Sequence, residues 1–271
     1  MINVINEVIE ALSYSFMIKG LIAGSLIALI CSILGIFLVL KKFSLIGDGL
    51  AHTSFATVAF ALLLGQSPII FSIPLVIIAS IIILKITEKT GAYGDSSIGM
   101  VSSLCIAVGI TIVSVSKGFN VDIYSYLFGS ILSINIYEVY VSLALSLIII
   151  ILIVLFYNEL FVSIYDEDFA KVSGIKIDYI NYFLSILTSI TVVLGVKVVG
   201  TMLVSSLIIF PASSALQISN SFKKSLILAS IFGVLSIIIG IIGAYILDIP
   251  SSSAIVFVNA IFFVFSFLIK K

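Results

Sequence analysis

Charged residues are scarce in this chain, whose 271 residues include 13 lysines, no arginine and 13 acidic residues, or 10% charged residues in all. Soluble domains carry about 25% charged residues. With 62% hydrophobic residues and a mean hydropathy of +1.39, the chain has too little polar material to cover a water-soluble fold. The composition therefore excludes an ordinary soluble enzyme and a disordered chain, and it leaves an integral membrane protein.

Other absences narrow the function further. The net charge is zero, so no basic face is available and we expect no nucleic-acid partner. The two cysteines, Cys31 and Cys105, lie in separate apolar runs and give no disulfide framework. The chain contains no GxxxxGK[ST], HExxH or GxSxG motif, so we expect no ATPase site and no enzyme activity of its own.

Long apolar runs predict an all-α fold, a polytopic membrane bundle of about eight or nine transmembrane helices. A spanning helix needs about 20 mostly apolar residues, and nine segments come close to that length. Around Gly195–Gly200 two of these segments are nearly continuous, which predicts a turn or a broken helix. The predicted segments are Phe16–Leu40, Asp48–Gly65, Pro68–Leu84, Ser96–Ser116, Ile136–Tyr157, Ile177–Val196, Val198–Ile218, Leu226–Leu247 and Ser251–Ile269.

The lysines predict the orientation of the chain in the membrane. If all nine segments span, ten of the 13 lysines fall on one side, and the positive-inside bias makes that side cytoplasmic. We therefore expect the N-terminus outside and the C-terminus inside. The ten lysines are Lys41, Lys42, Lys85, Lys89, Lys171, Lys176, Lys223, Lys224, Lys270 and Lys271.

Asp48 and His52 are the strongest candidates for a functional site within the predicted spans. They lie four residues apart in GDGLAH, so on a helix they share one face, and His52 is the only histidine of the chain. A carboxylate and an imidazole together suit manganese, iron or zinc better than calcium or magnesium. The alternative is structural: an Asp–His hydrogen bond at the membrane boundary, with Asp48 capping the helix N-terminus.

Two connections are too long for simple turns. The external one, residues 117–135, is apolar enough for a re-entrant or interfacial segment. The cytoplasmic one, residues 158–176, predicts a short helix with acidic residues at its start, Lys171 in its last turn and Gly174 at its end. This helix is either a solvated linker or a docking helix for a cytoplasmic partner. Its acidic residues are Asp166, Glu167 and Asp168.

Four blocks of sequence resemble the ABC-type manganese, zinc and iron permeases. The first reads GIFLVLKKFSLIGDGLAHTSFATVAFAL at residues 35–62, and the second is YLFGSIL at 126–132. The third is YDEDFAKVSGI at 165–175, and the fourth is VVGTMLVSSLIIFPASSA at 198–215. The four blocks follow the family's order and extend over most of the chain.

The resemblance implies the fold, the partners and the site residues. It implies one transmembrane permease domain, 1–271, similar to the cobalamin-importer fold of type II ABC importers. Two copies would form a homodimer in the plasma membrane (the inner membrane), with two ABC ATPase subunits inside and a metal-binding lipoprotein or periplasmic protein outside. Asp48 and His52 would bind the passing metal, and residues 158–176 would be the coupling segment. Its coupling residues would be Asp166, Glu167, Asp168, Ala170, Lys171 and Gly174.

The predicted function is thus import of a divalent transition metal, with Zn²⁺ or Mn²⁺ as the transported ion, ATP used by the partner subunit and no permanently bound cofactor. The sequence leaves zinc, manganese and iron open. The competing function is a secondary metal carrier or channel without an ATPase, for which more intramembrane carboxylates would be expected than this chain has.

Overall fold

The computed structural model describes residues 10, 12–90, 94–116, 129 and 135–269, and over these residues the elements are α-helices. The helices are α1 (Ser15–Leu40), α2 (Ile46–Leu63), α3 (Pro68–Thr90), α4 (Gly94–Val115), α5 (Ile136–Leu155), α6 (Tyr157–Tyr165), α7 (Glu167–Val172), α8 (Ile177–Val199), α9 (Thr201–Ile218), α10 (Phe222–Leu247) and α11 (Ser251–Ile269).

Within the described ranges, nine of these helices are long and apolar enough to cross a membrane, and α6 and α7 are the two short exceptions. The predicted all-α membrane bundle is confirmed. Three spans extend at least three residues further than predicted: α3 continues to Thr90, α8 continues to Val199, and α10 begins at Phe222. All three extensions contain lysines, because a helix can continue beyond the apolar run that a hydropathy pattern detects. Most of the segment 117–135 lies outside the described residues.

Helix α1 lies at the centre of the bundle and packs against α5, α8, α9 and α10. Its buried face carries small residues as well as large ones, including Ala23, Ile27, Ala28 and Leu34, each with no exposed surface. Helix α4, by contrast, packs against α2 and α3 and is mostly exposed. Because lipid tails are as apolar as leucine, close packing of small residues holds such helices together.

Gly35 of α1 lies where α9 approaches most closely. A Cβ atom at this position would collide with the backbone carbonyl of Ile208 and lie 3.1 Å from the Cβ of Ala212. Gly47, at the start of α2, faces the side chain of the same Ile208. These two glycines therefore allow α9 to pack against the C-terminal half of α1 and the start of α2.

Gly200 alone separates α8 from α9, at the point where the sequence predicts a turn or broken helix. Its φ of 90° and ψ of 162° lie in a region that is essentially restricted to glycine. Val199, Gly200 and Thr201 are all buried, and Gly129 lies against the backbone of Val199. The tip of the α8–α9 hairpin is therefore enclosed by protein.

Replacing Gly35 with alanine should destabilise the bundle by about 1–3 kcal/mol, the usual cost of overpacking. The added Cβ has to displace the backbone of α9, which cannot rotate away as a side chain could. The measurement is the melting temperature of the detergent-purified protein. Gly243→Ala in α10 is the matched control, since no atom lies within 4 Å of its added Cβ; equal melting temperatures for the two variants would contradict this account.

Candidate functional site

Asp48 and His52 lie on one face of α2, in its first two turns, as their spacing predicts. The His52 Nε2 and Asp48 Oδ2 atoms are 3.7 Å apart, which is too long for a hydrogen bond. Helix α2 begins after Leu45 without a side-chain cap. Neither part of the structural alternative, an Asp–His hydrogen bond or a cap by Asp48, is therefore present.

The pair is only partly enclosed by its own chain. The Asp48 side chain is 47% exposed and the His52 side chain 23% exposed, although most residues around them on α2 are buried. No group of three or more histidine, cysteine, aspartate or glutamate side chains suited to a metal ion occurs in the part of the chain that the structure describes. One chain thus offers a carboxylate and an imidazole, with open space beside them.

Ser205 of α9 is the third polar group at this position. Its hydroxyl donates a hydrogen bond of 3.1 Å to Asp48 Oδ1, which leaves Oδ2 facing His52. The sequence pattern does not distinguish Ser205, because serine is common in membrane helices and 157 residues separate it from Asp48. Only the packing of α9 against α2 brings the two side chains together.

A groove of about 480 Å³ opens beside Ser205, between α9 and α11. Ser205 lines it together with Ser206, Ser252 and Ser253, and apolar residues form the remaining wall. The groove therefore connects the surface of the bundle with the serine that contacts Asp48.

Asn259 of α11 is buried behind this groove and links three helices. Its Oδ1 accepts a hydrogen bond of 2.6 Å from the Ser236 hydroxyl of α10, and its Nδ2 donates to Ser206 Oγ of α9 at 3.4 Å. Ser206 is the chain neighbour of Ser205. The amide thereby helps to fix the rotation of α9, and with it the position of the hydroxyl that contacts Asp48.

The segment predicted to form one short helix contains two, α6 and α7, which separate at Asp166. The extended backbone of Asp166 ends α6, and its carboxylate accepts a 2.8 Å hydrogen bond from the Phe169 amide to cap α7. Gly174, with a φ of 84°, follows the end of α7 as predicted. Of the other predicted coupling residues, Ala170 is fully buried, and the Lys171 Nζ atom lies 3.8 Å from Asp168 Oδ1.

An exposed apolar pair marks the outer surface of α7. Phe169 is 59% exposed and Val172 is 89% exposed. Within the chain they contribute little to packing, because Ala170 alone faces inward from α7. Exposed apolar side chains beside charged ones are typical of a surface that binds another protein.

Lys41 connects this segment to the membrane helices. Its side chain is 7% exposed, its Nζ donates a 2.7 Å hydrogen bond to Asn181 Oδ1 of α8, and it lies 3.8 Å from Glu167 Oε1 of α7. Burial lowers the pKa of the Lys41 ammonium, and the negative charge of Glu167 acts in the opposite direction. One buried lysine therefore joins the ends of α1, α7 and α8.

The fold and the site together define a polytopic membrane protein with a polar pair on one inner helix. Residues 13–270 match the model of the ABC 3 transport family, and the chain belongs to that family. The family resemblance predicted from the four sequence blocks is confirmed.

Two relatives and a solved structure are similar to this chain over nearly its whole length. The manganese transport system membrane protein MntC of Listeria monocytogenes is 33% identical over 95% of this chain and 91% of its own length. The high-affinity zinc uptake system membrane protein ZnuB of Haemophilus influenzae is 29% identical over 93% of this chain and 97% of its own. PsaBC from Streptococcus pneumoniae, solved in complex with Fab, superposes with a TM-score of 0.88 at 31% identity, over 98% of this chain and 96% of that chain. The predicted permease fold of the type II class is thereby confirmed.

Replacing Asn259 with leucine should lower the stability of the bundle by about 1 kcal/mol, the scale of polar contacts between membrane helices. The change removes the side-chain link among α9, α10 and α11 at nearly constant volume. Thermal unfolding in detergent measures the loss. Thr111→Val on exposed α4 removes a hydroxyl that bonds only within its own helix, and it should leave the melting temperature unchanged. A melting temperature for Asn259→Leu as high as that of the wild type would refute the role of this link.

Proposed function

We propose that the chain is the membrane-spanning subunit of an ATP-driven importer of manganese or zinc ions. The observation that carries this proposal is the pairing of Asp48 and His52 beside Ser205, in a chain similar over at least 93% of its length to manganese and zinc permeases. The transported ion is the substrate and not a resident cofactor.

The ion binds between Asp48 Oδ2 and His52 Nε2 as it passes. A carboxylate oxygen and an imidazole nitrogen suit both Mn²⁺ and Zn²⁺. Two protein ligands make a weak site, which favours release, whereas a closed site with four ligands would hold the ion as a structural zinc site does. Because the Asp48 side chain is about half exposed in one chain, a second copy facing it would enclose the path, and this supports a homodimer.

A conformational change of the ATPase subunit is transmitted to this site through α7. An ABC ATPase subunit docks on exposed Phe169 and Val172, and the displacement passes through Glu167 to Lys41. Lys41 precedes the turn that leads into α2, and it also contacts Asn181 near the start of α8. The coupling segment is therefore linked both to the helix that carries Asp48 and, through the Gly200 hairpin, to the helix that carries Ser205.

The lysine-rich end of the bundle faces the cytoplasm in this proposal. Lys41, Lys42, Lys85 and Lys89 lie at the same end as α7, in agreement with the positive-inside bias. This orientation places the N-terminal side of α1 outside the cell. A metal-binding protein on the outer surface then supplies the ion to the dimer.

Replacing Asp48 with asparagine, or His52 with glutamine, should lower metal uptake by at least about 10–100-fold. These changes remove an ion ligand at nearly constant volume, and even the partners that merely orient ligands are worth this much. Uptake of radioactive manganese and zinc is measured in a host without its own importers, with the ATPase and the binding protein co-expressed.

Asp95→Asn is the matched control, because Asp95 also lies in the first turn of a membrane helix but is exposed and is not among the groups bonded to Asp48 or His52. Size-exclusion chromatography verifies that each variant is folded. Wild-type uptake by both the Asp48 and the His52 variant would remove the proposed ion site.

Replacing Lys41 with alanine should lower transport about tenfold while the ATPase still co-purifies with the chain. The loss breaks a buried charged hydrogen bond between α1 and α8, worth about 1.5–3 kcal/mol, but leaves the docking surface of α7 intact. Uptake and ATP hydrolysis are measured on the same reconstituted complex. Lys42→Ala is the control, since Lys42 is the exposed neighbour. Equal transport by the two variants would refute coupling through Lys41.

A further inference from the structure

A second groove lies between α1, α5 and α10 and shares no lining residue with the α9–α11 groove. Its volume is about 520 Å³. None of its lining residues belongs to α2, α9 or α11, so it is separate from the site around Asp48. Its walls are apolar over most of their length and are formed by Ile33, Ile150, Ile153, Val154, Leu226 and Ile227.

One end of this groove is polar and positively charged. Tyr157, Asn158 and Lys223 line it, and the Lys223 ammonium lies 5.8 Å from the centre of the Tyr157 ring. Lys224 is the exposed chain neighbour of Lys223. Among the residues that the structure describes, no carboxylate lies within 4 Å of either lysine, so neither forms an ion pair at this end.

The start of α10 adds to this positive potential. Both lysines lie in its first turn, at the positive end of the helix dipole, and Ser221 makes no side-chain cap there. Lysines are usually placed at the other end of a helix, where the dipole favours them. An anion bound beside Lys223 would offset this unfavourable arrangement.

Aromatic side chains mark this end as the membrane boundary. Tyr157, Phe161 and Phe222 form a cluster with ring centroids 5.2–6.2 Å apart, just beyond the end of α5. Such clusters are typical of the layer between water and hydrocarbon. From Lys223 to Ser230 the groove follows α10 for seven residues, or about 10 Å, into the bilayer.

We propose that this groove binds an anionic phospholipid. The phosphate lies at Lys223, beside the hydroxyl of Tyr157 and the amide of Asn158, and an acyl chain follows the apolar walls between α5 and α10. A basic end at the membrane surface followed by an apolar channel complements this molecule in both charge and polarity. The proposal depends on the membrane-spanning fold and is independent of the ion that is transported.

The test is native mass spectrometry of the chain in complex with its ATPase, titrated in detergent with phosphatidylglycerol or phosphatidylcholine. We expect the wild type to bind phosphatidylglycerol about fivefold more tightly, the scale expected for one lysine at a membrane surface. Lys223→Ala should remove this preference. Lys85→Ala is the matched control, because Lys85 is an exposed lysine near the end of α3 and outside the groove, and it should leave the preference unchanged.

A second variant tests the apolar part of the groove without changing its charge. Ile227 is 61% exposed, so Ile227→Trp should fold normally and fill the channel. It should displace the bound phosphatidylglycerol although both lysines remain. Selective binding that persists in Ile227→Trp would place the lipid on the general surface and overturn the proposal. An equal loss of the phosphatidylglycerol preference in Lys85→Ala would also overturn the proposal. So would the absence of this preference in the wild-type complex, which is the result expected if the ATPase or a second copy covers the groove.

Discussion

The close approach of α9 to α1 and α2 is the constraint on which the site depends. Gly35 lets the backbone of α9 reach α1, and Gly47 accommodates the side chain of Ile208 from the same helix. This packing alone brings Ser205 within hydrogen-bond distance of Asp48. The contact of Ser205 with the proposed ion site therefore depends on the absence of two Cβ atoms, whereas Asp48 and His52 are placed together by their spacing on α2.

Several buried hydroxyl groups donate to a carbonyl of their own helix, whereas a few polar side chains join separate helices. Lys41 joins α1, α7 and α8, and Asn259 joins α9, α10 and α11. Because lipid offers such groups no hydrogen-bond partner, they are costly unless paired within the protein. Each polar link consequently fixes the relative rotation of several helices. Apolar packing alone would define these rotations less precisely, because apolar helix surfaces resemble one another.

The spans and the Asp48–His52 pair could be predicted from the sequence because both depend on local patterns. Run length and lysine spacing define a membrane helix, and a separation of four residues places two side chains on one face. Ser205 and the contact between Lys41 and Asn181 could not be predicted in this way, since they join residues 157 and 140 positions apart. The short helix near Asp166 was predicted from its capping residues, but its separation from α6 depends on one extended backbone conformation.

Gly200 leaves no loop between α8 and α9, and this has a mechanical consequence. Helix α8 is 23 residues long, or about 35 Å, and its first turns are held by Lys41 through Asn181. Gly200 joins the far end of α8 directly to α9, the helix that carries Ser205. Helix α8 can thus act as a lever, in which a small tilt at the lysine becomes a larger displacement of the hydroxyl beside Asp48.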